Sequence, residues 1–194
     1  MNDNTVINIL DLLETLGEDE VKEILSDFSC PKNNEIEYYL LNNAVEFAKR
    51  KMSVTYLVFD KDYRFIAYFT LTHKSSLISA DMLSNTAKKK LSMHAKLDDN
   101  INCFDVSAFL IAQFGKNYAV DNGKTISGNM LMDYVFSILN EAQRLIGGGV
   151  VFLECEENEK LLNFYQNDNN RFKPYGERES KKDQKKYLQL LRFF

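Results

Sequence analysis

Apolar positions at the start of the chain recur at helical spacing. Val6, Ile9, Leu10, Leu12, Leu13 and Leu16 form one stripe, and Gly17 supplies its stop. A second short helix runs over Val21, Ile24, Leu25 and Phe28. Pro31 breaks the chain, and Asn34 can cap a third helix that carries Ile36, Tyr39, Leu40, Ala44, Phe47 and Ala48. The period then changes. Residues 54–59 read as a strand, Lys61-Asp62 as a turn and residues 64–72 as the hairpin partner. Segment 75–104 is the least regular, although 80–95 fits a helix with Lys88, Lys89 and Lys90 on its surface. An apolar strand over 106–114 leads into a polar loop containing Gly115 and Gly123. A long helix follows over 126–146, with Met130, Leu131, Tyr134, Ile138, Leu139 and Ala142 at helical spacing. Gly147-Gly148-Gly149 ends that helix, 150–154 reads as a buried strand and 158–165 as a helix. A charged loop and a last strand over 187–194 close the chain. This order predicts an α/β sheet with a crossover after its central strand.

Composition narrows the classes. A hydrophobic fraction of 45% over 194 residues is enough for a core without disulfide staples. No apolar run approaches the roughly 20 residues that span a bilayer, and the acidic first residues are unlike a secretory signal. The expectation is a cytoplasmic protein without membrane association, in one domain spanning 1–194. The three cysteines (Cys30, Cys103, Cys155) are scattered and the two histidines lie far apart, so no metal site is predicted. Charge is uneven: the first 37 residues hold ten acids and two lysines, net −8, which leaves +4 on the other 157. Overall acidity argues against a dedicated nucleic-acid binder, while the body of the chain is mildly basic. The basic runs are Lys49-Arg50-Lys51, Lys88-Lys89-Lys90 and Lys181-Lys182 with Lys185-Lys186.

The loop Asn122-Gly123-Lys124-Thr125-Ile126-Ser127-Gly128-Asn129 lies between a strand and a long helix. Backbone N–H groups at a helix N-terminus, joined to the positive end of the dipole, can hold a phosphate. An ordinary strand-to-helix turn with a glycine explains the loop equally well on its own. It is not a Walker A loop, because Gly128 is followed by Asn129-Met130. The surrounding order adds to the case. The loop resembles the acetyl-CoA loop of the GNAT acetyltransferase superfamily, with Asn122, Thr125 and Ser127 at motif positions whose consensus they do not match. Ile111-Ala112-Gln113-Phe114-Gly115-Lys116-Asn117 resembles the family's fourth strand, and Val151-Phe152-Leu153-Glu154-Cys155 its fifth. Asn158, Asn163-Phe164-Tyr165 and then Arg171-Phe172 resemble the helix after it, with Arg171-Phe172 replacing the usual Gly-Phe.

This resemblance implies a mixed central sheet splayed at the acetyl-CoA site between the 106–114 and 150–154 strands, with helices on both faces. It implies acetyl-CoA as co-substrate, held by Phe114, Gly115, Lys116, the loop from Asn122 to Asn129, and Asn158. It makes Tyr165 the acid that protonates the departing thiolate, in a direct transfer to a primary amine without a covalent enzyme intermediate. Phe28-Ser29-Cys30, Tyr39-Leu40, Tyr56-Leu57-Val58-Phe59-Asp60 and Ala67-Tyr68-Phe69-Thr70-Leu71 are similar to one GNAT subgroup, the toxins that acetylate aminoacyl-tRNA. Residues 1–27 are then an acidic helical extension and 75–104 an insertion. The partners that follow are an amine acceptor, tRNA, an antitoxin and a second copy in a homodimer.

Other readings stay open. Tyr165 is one of ten tyrosines and could simply pack a helix on the sheet. Cys103 and Cys155 have no histidine nearby to make them nucleophiles. Asp105 and Glu154 could act as bases or be solvated strand-end carboxylates, and His73 could serve the acceptor or the surface. Basic runs are usually solvated faces, and would meet phosphates if tRNA were the acceptor. A non-catalytic module that binds CoA or a partner also fits the departures in the loop.

Overall fold

The structure, a computed structural model of the chain, describes residues 4–180 and 184–194. In chain order the elements are β1 (Thr5–Asn8), α1 (Ile9–Leu16), α2 (Glu18–Ser26), α3 (Asn34–Asn42), α4 (Ala44–Lys49), β2 (Val54–Phe59) and β3 (Phe65–Ser79). Then come α5 (Asn85–Leu91), β4 (Leu97–Asp98), β5 (Cys103–Lys116), α6 (Gly128–Ile146), β6 (Val150–Glu156), α7 (Glu159–Gln166), β7 (Lys173–Ser180) and β8 (Lys185–Phe193). The chain folds into two compact units. One is Met1–Thr72 with Ile111–Phe136; the other is His73–Leu110 with Ser137–Phe194.

The first unit carries strands in the order β1-β2-β3-β5. Its opening differs from the expected single helix. Val6 lies in β1, opposite Val58 of β2, and the helix starts only at Ile9. The cause is local: three β-branched residues, Thr5, Val6 and Ile7, extend the chain, and Asn8 caps the turn by accepting a hydrogen bond from the Leu10 N–H at 2.9 Å. Gly17 ends α1 at φ 94, as its position predicted. The third expected helix is two helices, because Asn43 leaves helical geometry between α3 and α4. Ile9, Val21, Leu25, Phe28, Leu40, Ala44, Leu57 and Tyr68 form this unit's core. Phe28 packs edge-on against Tyr68, with ring centroids 5.0 Å apart.

The second unit orders its strands β3-β5-β6-β8-β7, with β4 paired to the start of β5. Strands β5 and β6 run parallel, with Phe109 opposite Val151 and Leu110 opposite Phe152. β6 and β8 are antiparallel over seven registered pairs, from Val150↔Phe193 to Glu156↔Tyr187. Where a charged loop was expected, the chain forms β7. Its charges misled the reading because β7 is an edge strand whose exposed Glu177 and Arg178 find ion partners, while Tyr175 turns inward. The core here holds Ile78, Leu91, Phe104, Val106, Ala108, Val150, Phe152, Tyr175 and Leu191. Segment 75–104 is more ordered than its sequence suggests: β3 runs on to Ser79, and α5 is shorter than the expected 80–95 helix. Lys181 and Lys182, half of the last basic run, lie outside the described residues.

Candidate active site

In the first unit, β5 ends in Phe114, Gly115 and Lys116. Phe114 is half-buried. A Cβ added at Gly115 would lie 2.5 Å from Ile36 Cγ2, so α3 can approach β5 only because this residue has no side chain. Lys116 donates through Nζ to the Ile126 carbonyl at 2.9 Å and so ties the loop to the strand end. Burial, and then the charge of Lys32, lower its pKa. Asn117 went unassigned in the sequence, yet it organises the region. Its Oδ1 accepts from the Ser29 and Ala119 N–H groups, each at 3.0 Å. Its Nδ2 donates to the Asp27 carbonyl at 2.9 Å and the Phe65 carbonyl at 2.8 Å. A fully buried amide with four bonds fixes three stretches of backbone at once, 27–29, Phe65 and Ala119. Nothing in a single asparagine after an apolar strand announces such a role.

The loop turns through three successive left-handed residues, Asp121 (φ 47), Asn122 (φ 51) and Gly123 (φ 68). Gly123 is needed there, since a Cβ would also sit 3.0 Å from the Tyr118 ring. Gly123 and Lys124 spend their N–H groups on the Val120 and Asp121 carbonyls, at 2.9 and 3.1 Å. Thr125 Oγ1 donates to Asp121 Oδ2 at 3.5 Å, and Asp121 also faces Arg64 at 3.6 Å. Ser127 caps α6: its Oγ accepts from the Met130 N–H at 3.1 Å, and its carbonyl accepts from the Leu131 N–H at 3.1 Å. Among the described residues, the backbone bonds of the loop do not engage the N–H groups of Thr125, Ile126, Ser127 and Gly128. Four successive donors, at the head of a 19-residue helix, are chemically suited to a phosphate. Ile126 is buried and anchors this run, whereas Asn122, Lys124, Ser127 and Asn129 are exposed.

In the second unit, Asn158 caps α7: its Oδ1 accepts from the N–H groups of Lys160 at 2.9 Å and Leu161 at 3.4 Å. The cap leaves its amide NH2 group outside those two bonds. Tyr165 is the buried residue of α7 and meets Phe164 and Phe172 edge-on, at 5.0 and 6.0 Å. Burial, followed by the neighbouring Cys155, pushes its phenol well above the ordinary tyrosine range. The group stays protonated at neutral pH, as a proton donor must. Behind it the chain makes a tight return. Asn167 Oδ1 accepts from the N–H groups of Asn169 (3.0 Å) and Asn170 (2.8 Å), and Asn170 Nδ2 donates to the Phe164 carbonyl at 2.7 Å. The Phe172 N–H donates to the Tyr165 carbonyl at 2.9 Å. Arg171 stands where the resembled family has glycine, and it adopts the left-handed conformation at φ 56.

The alternative chemical candidates fare differently. Burial pushes the Cys155 thiol up to about 11, with help from Glu156, so it is not an activated nucleophile. Glu154 is engaged: Arg178 reaches it at 2.7 Å and Gln189 Nε2 donates to it at 2.9 Å. Burial opposes its ionisation, but those two partners outweigh burial and lower its pKa. Asp105 accepts from Ser75 Oγ, and His73 Nε2 lies 3.3 Å from Ser107 Oγ on an exposed stretch of strand. Among the described residues, no three His, Cys, Asp or Glu side chains group as metal ligands, and no helix is long and apolar enough to cross a membrane.

No family model matches this sequence. No curated protein matches it either. Solved structures do. One, AtaT complexed with acetyl-methionyl-tRNAfMet, superposes with a TM-score of 0.64 at 17% identity, over 99% of this chain and 94% of that one. A tyrosine-to-phenylalanine mutant of KacT gives 0.66 at 18% identity, over 98% and 95%. A crystal structure of AtaTR bound with acetyl-CoA gives 0.59 at 15% identity, over 100% and 94%. Identity this low speaks for the fold alone, and the fold is the one expected from the sequence. The chain has the mixed α/β GNAT fold, as its likeness to the solved AtaT and KacT structures shows.

Proposed function

We propose that this chain is an acetyl-CoA-dependent N-acetyltransferase of the toxin type, whose acceptor is the amino group of an aminoacyl-tRNA. The observation that carries the reading is likeness across the whole length. AtaT, in complex with acetylated aminoacyl-tRNA, is matched over 99% of this chain, so the likeness extends well beyond the half that would hold acetyl-CoA. AtaT and KacT were both solved as tyrosine-to-phenylalanine mutants, which agrees with giving Tyr165 the chemical role. The reading takes 1–194 as one catalytic domain with the acidic extension 1–27 and the insertion 75–104. It places the protein in the cytoplasm, where aminoacyl-tRNA is found, and allows it an antitoxin and a second copy as partners.

The pyrophosphate of acetyl-CoA meets the N–H groups of Thr125 to Gly128, with Lys124 adding a positive charge. Asn158 offers its amide to the pantetheine arm. The acceptor amine attacks the thioester carbonyl carbon, and a backbone N–H at the end of β5 takes up the negative charge on oxygen. The C–S bond breaks, its electron pair goes to sulfur, and Tyr165 protonates that sulfur. The new ammonium loses its proton to water, and solvent reprotonates Tyr165. The test is incubation of the pure protein with acetyl-CoA and methionyl-tRNA, with mass analysis of the released amino acid. Acetyl-methionine in the wild-type reaction, and little in Tyr165→Phe, is the expected result. Binding of acetyl-CoA without any transfer to aminoacyl-tRNA would overturn the acceptor.

A further inference from the structure

The sequence offers three basic runs, and their surroundings separate them. Lys49 is 2.7 Å from Glu18, and Arg50 faces Glu46. Lys185 is 2.6 Å from Glu156, and Lys186 is 2.8 Å from Glu177. Lys88 and Lys89 of α5, and Lys96 after it, differ in lining a cavity. Among the described residues, Lys88, Lys89 and Lys96 make no ion pair, and with Ser92, Ala95 and Phe104 they line an open cavity of about 470 Å³. No acid lines it. The segment that carries them is held in place. Leu91 is fully buried, the His94 ring stacks on Phe193 at 6.0 Å, and Lys90 lies 5.6 Å over the same ring. Three cations in the last turn of a helix favour its dipole, which accounts for part of the pattern. It does not account for Lys96, beyond the helix, nor for the apolar side chains that line the cavity beside the charges.

We infer that this cavity in the 75–104 segment is a docking site for an RNA backbone, with Lys88, Lys89 and Lys96 contacting phosphates. The lining suits a nucleotide. Ala95, Leu97 and Phe104 give the lining apolar surface, as a sugar or base face requires, and Lys88, Lys89 and Lys96 give it positive charge. An acidic peptide would need the charges but not the apolar lining. The inference rests on the reading of aminoacyl-tRNA as acceptor, since it names where that RNA is gripped away from the reacting amine. Because the contacts are electrostatic, each phosphate neutralised adds about 0.7 to 0.9 to the slope of log affinity against log salt.

The experiment is fluorescence anisotropy with labelled, deacylated bacterial tRNA, titrated at several salt concentrations. It compares the wild type, Lys88→Gln/Lys89→Gln/Lys96→Gln, and Lys49→Gln/Lys185→Gln/Lys186→Gln. The first variant is expected to bind about tenfold more weakly at about 0.1 M salt and to lose about two from the salt slope, with acetyl-CoA binding unchanged by titration calorimetry. The second removes the same charge from paired lysines and is expected to stay within about twofold. Equal weakening in both variants would overturn the site, as a general charge effect. So would no weakening in either, no binding of tRNA by the wild type, or displacement of the wild type from tRNA by polyglutamate at lower concentration than by unlabelled tRNA. Weakening confined to the α5 variant, together with no acetylation of methionyl-tRNA, leaves the RNA site standing and removes the proposed acceptor.

Discussion

The loop over 121–129 and the helix α7 are both expected to serve acetyl transfer, and they are built in opposite ways. α7 presents a side chain: Tyr165, buried among Phe164 and Phe172, with a phenol that stays protonated. The loop presents backbone: a run of N–H groups from Thr125 to Gly128, preceded by three left-handed residues and joined to α6 through the Ser127 cap. A task carried by a side chain leaves its mark on residue identity. A task carried by backbone constrains only conformation, so Asn122, Thr125 and Ser127 can depart from the family's pattern while the donors remain. Arg171 makes the same point within the α7 region, holding φ 56 without the glycine that usually takes it.

The largest effect expected from this contrast is on Tyr165. Tyr165→Phe removes one hydroxyl and is expected to lower turnover about 100-fold or more, while acetyl-CoA affinity stays within about twofold. Steady-state kinetics beside titration calorimetry reads both, and unchanged turnover would make Tyr165 a packing residue. Next is the loop glycine. Gly123→Val forces a β-branched residue into φ 68 and against Tyr118, a strain of about 1–2 kcal/mol, and is expected to weaken acetyl-CoA at least about tenfold. Equal affinity for wild type and variant would detach this loop from the cofactor.

The caps give a smaller effect and a sharper comparison. Ser127→Ala and Asn158→Ala each remove a helix cap and are expected to cost about 1 kcal/mol in urea unfolding. Ser127→Ala leaves the backbone donors in place and is expected to keep acetyl-CoA affinity within about threefold, whereas Asn158→Ala also removes the amide assigned to the pantetheine arm. Identical affinities for the two variants would take Asn158 out of the site.

The smallest effect is a pH dependence beside the site. Glu154 has its pKa lowered in the folded state because Arg178 and Gln189 outweigh its burial. Its stabilising contribution is therefore present above the unfolded pKa, near 4.3, and fades as pH falls through the lower folded value. The stability gap between wild type and Glu154→Gln is expected to be open at pH 6 and to narrow below about pH 4. A gap independent of pH would show that the pair with Arg178 does not control it.

Much of the layout was legible in the chain. The alternation over 54–59 and the apolar run over 150–154 gave strands at almost their final limits, because burial on one or both faces imposes those patterns directly. The helical stripe of α6 and the stop at Gly17 were equally plain. The errors share a cause. Val6 belongs to β1 because β2 was available to pair with it, and the charges of 173–180 lie on an edge strand because β8 and Glu154 receive them. Neither partner is near in sequence, so no local period could reveal them.

The sequence by itself determined the α/β class of the fold and its crossover order. Those properties follow from hydrophobic period and residue chemistry, which are written position by position. Tertiary structure alone decided that Asn117 ties three stretches of backbone together, that Gly115 yields its space to Ile36, and that Glu154 is occupied by Arg178. It also decided which lysines are neutralised and which stand uncompensated around a cavity. A charge in sequence has no partner until folding brings one within a few ångströms, and the field that a ligand meets is the remainder.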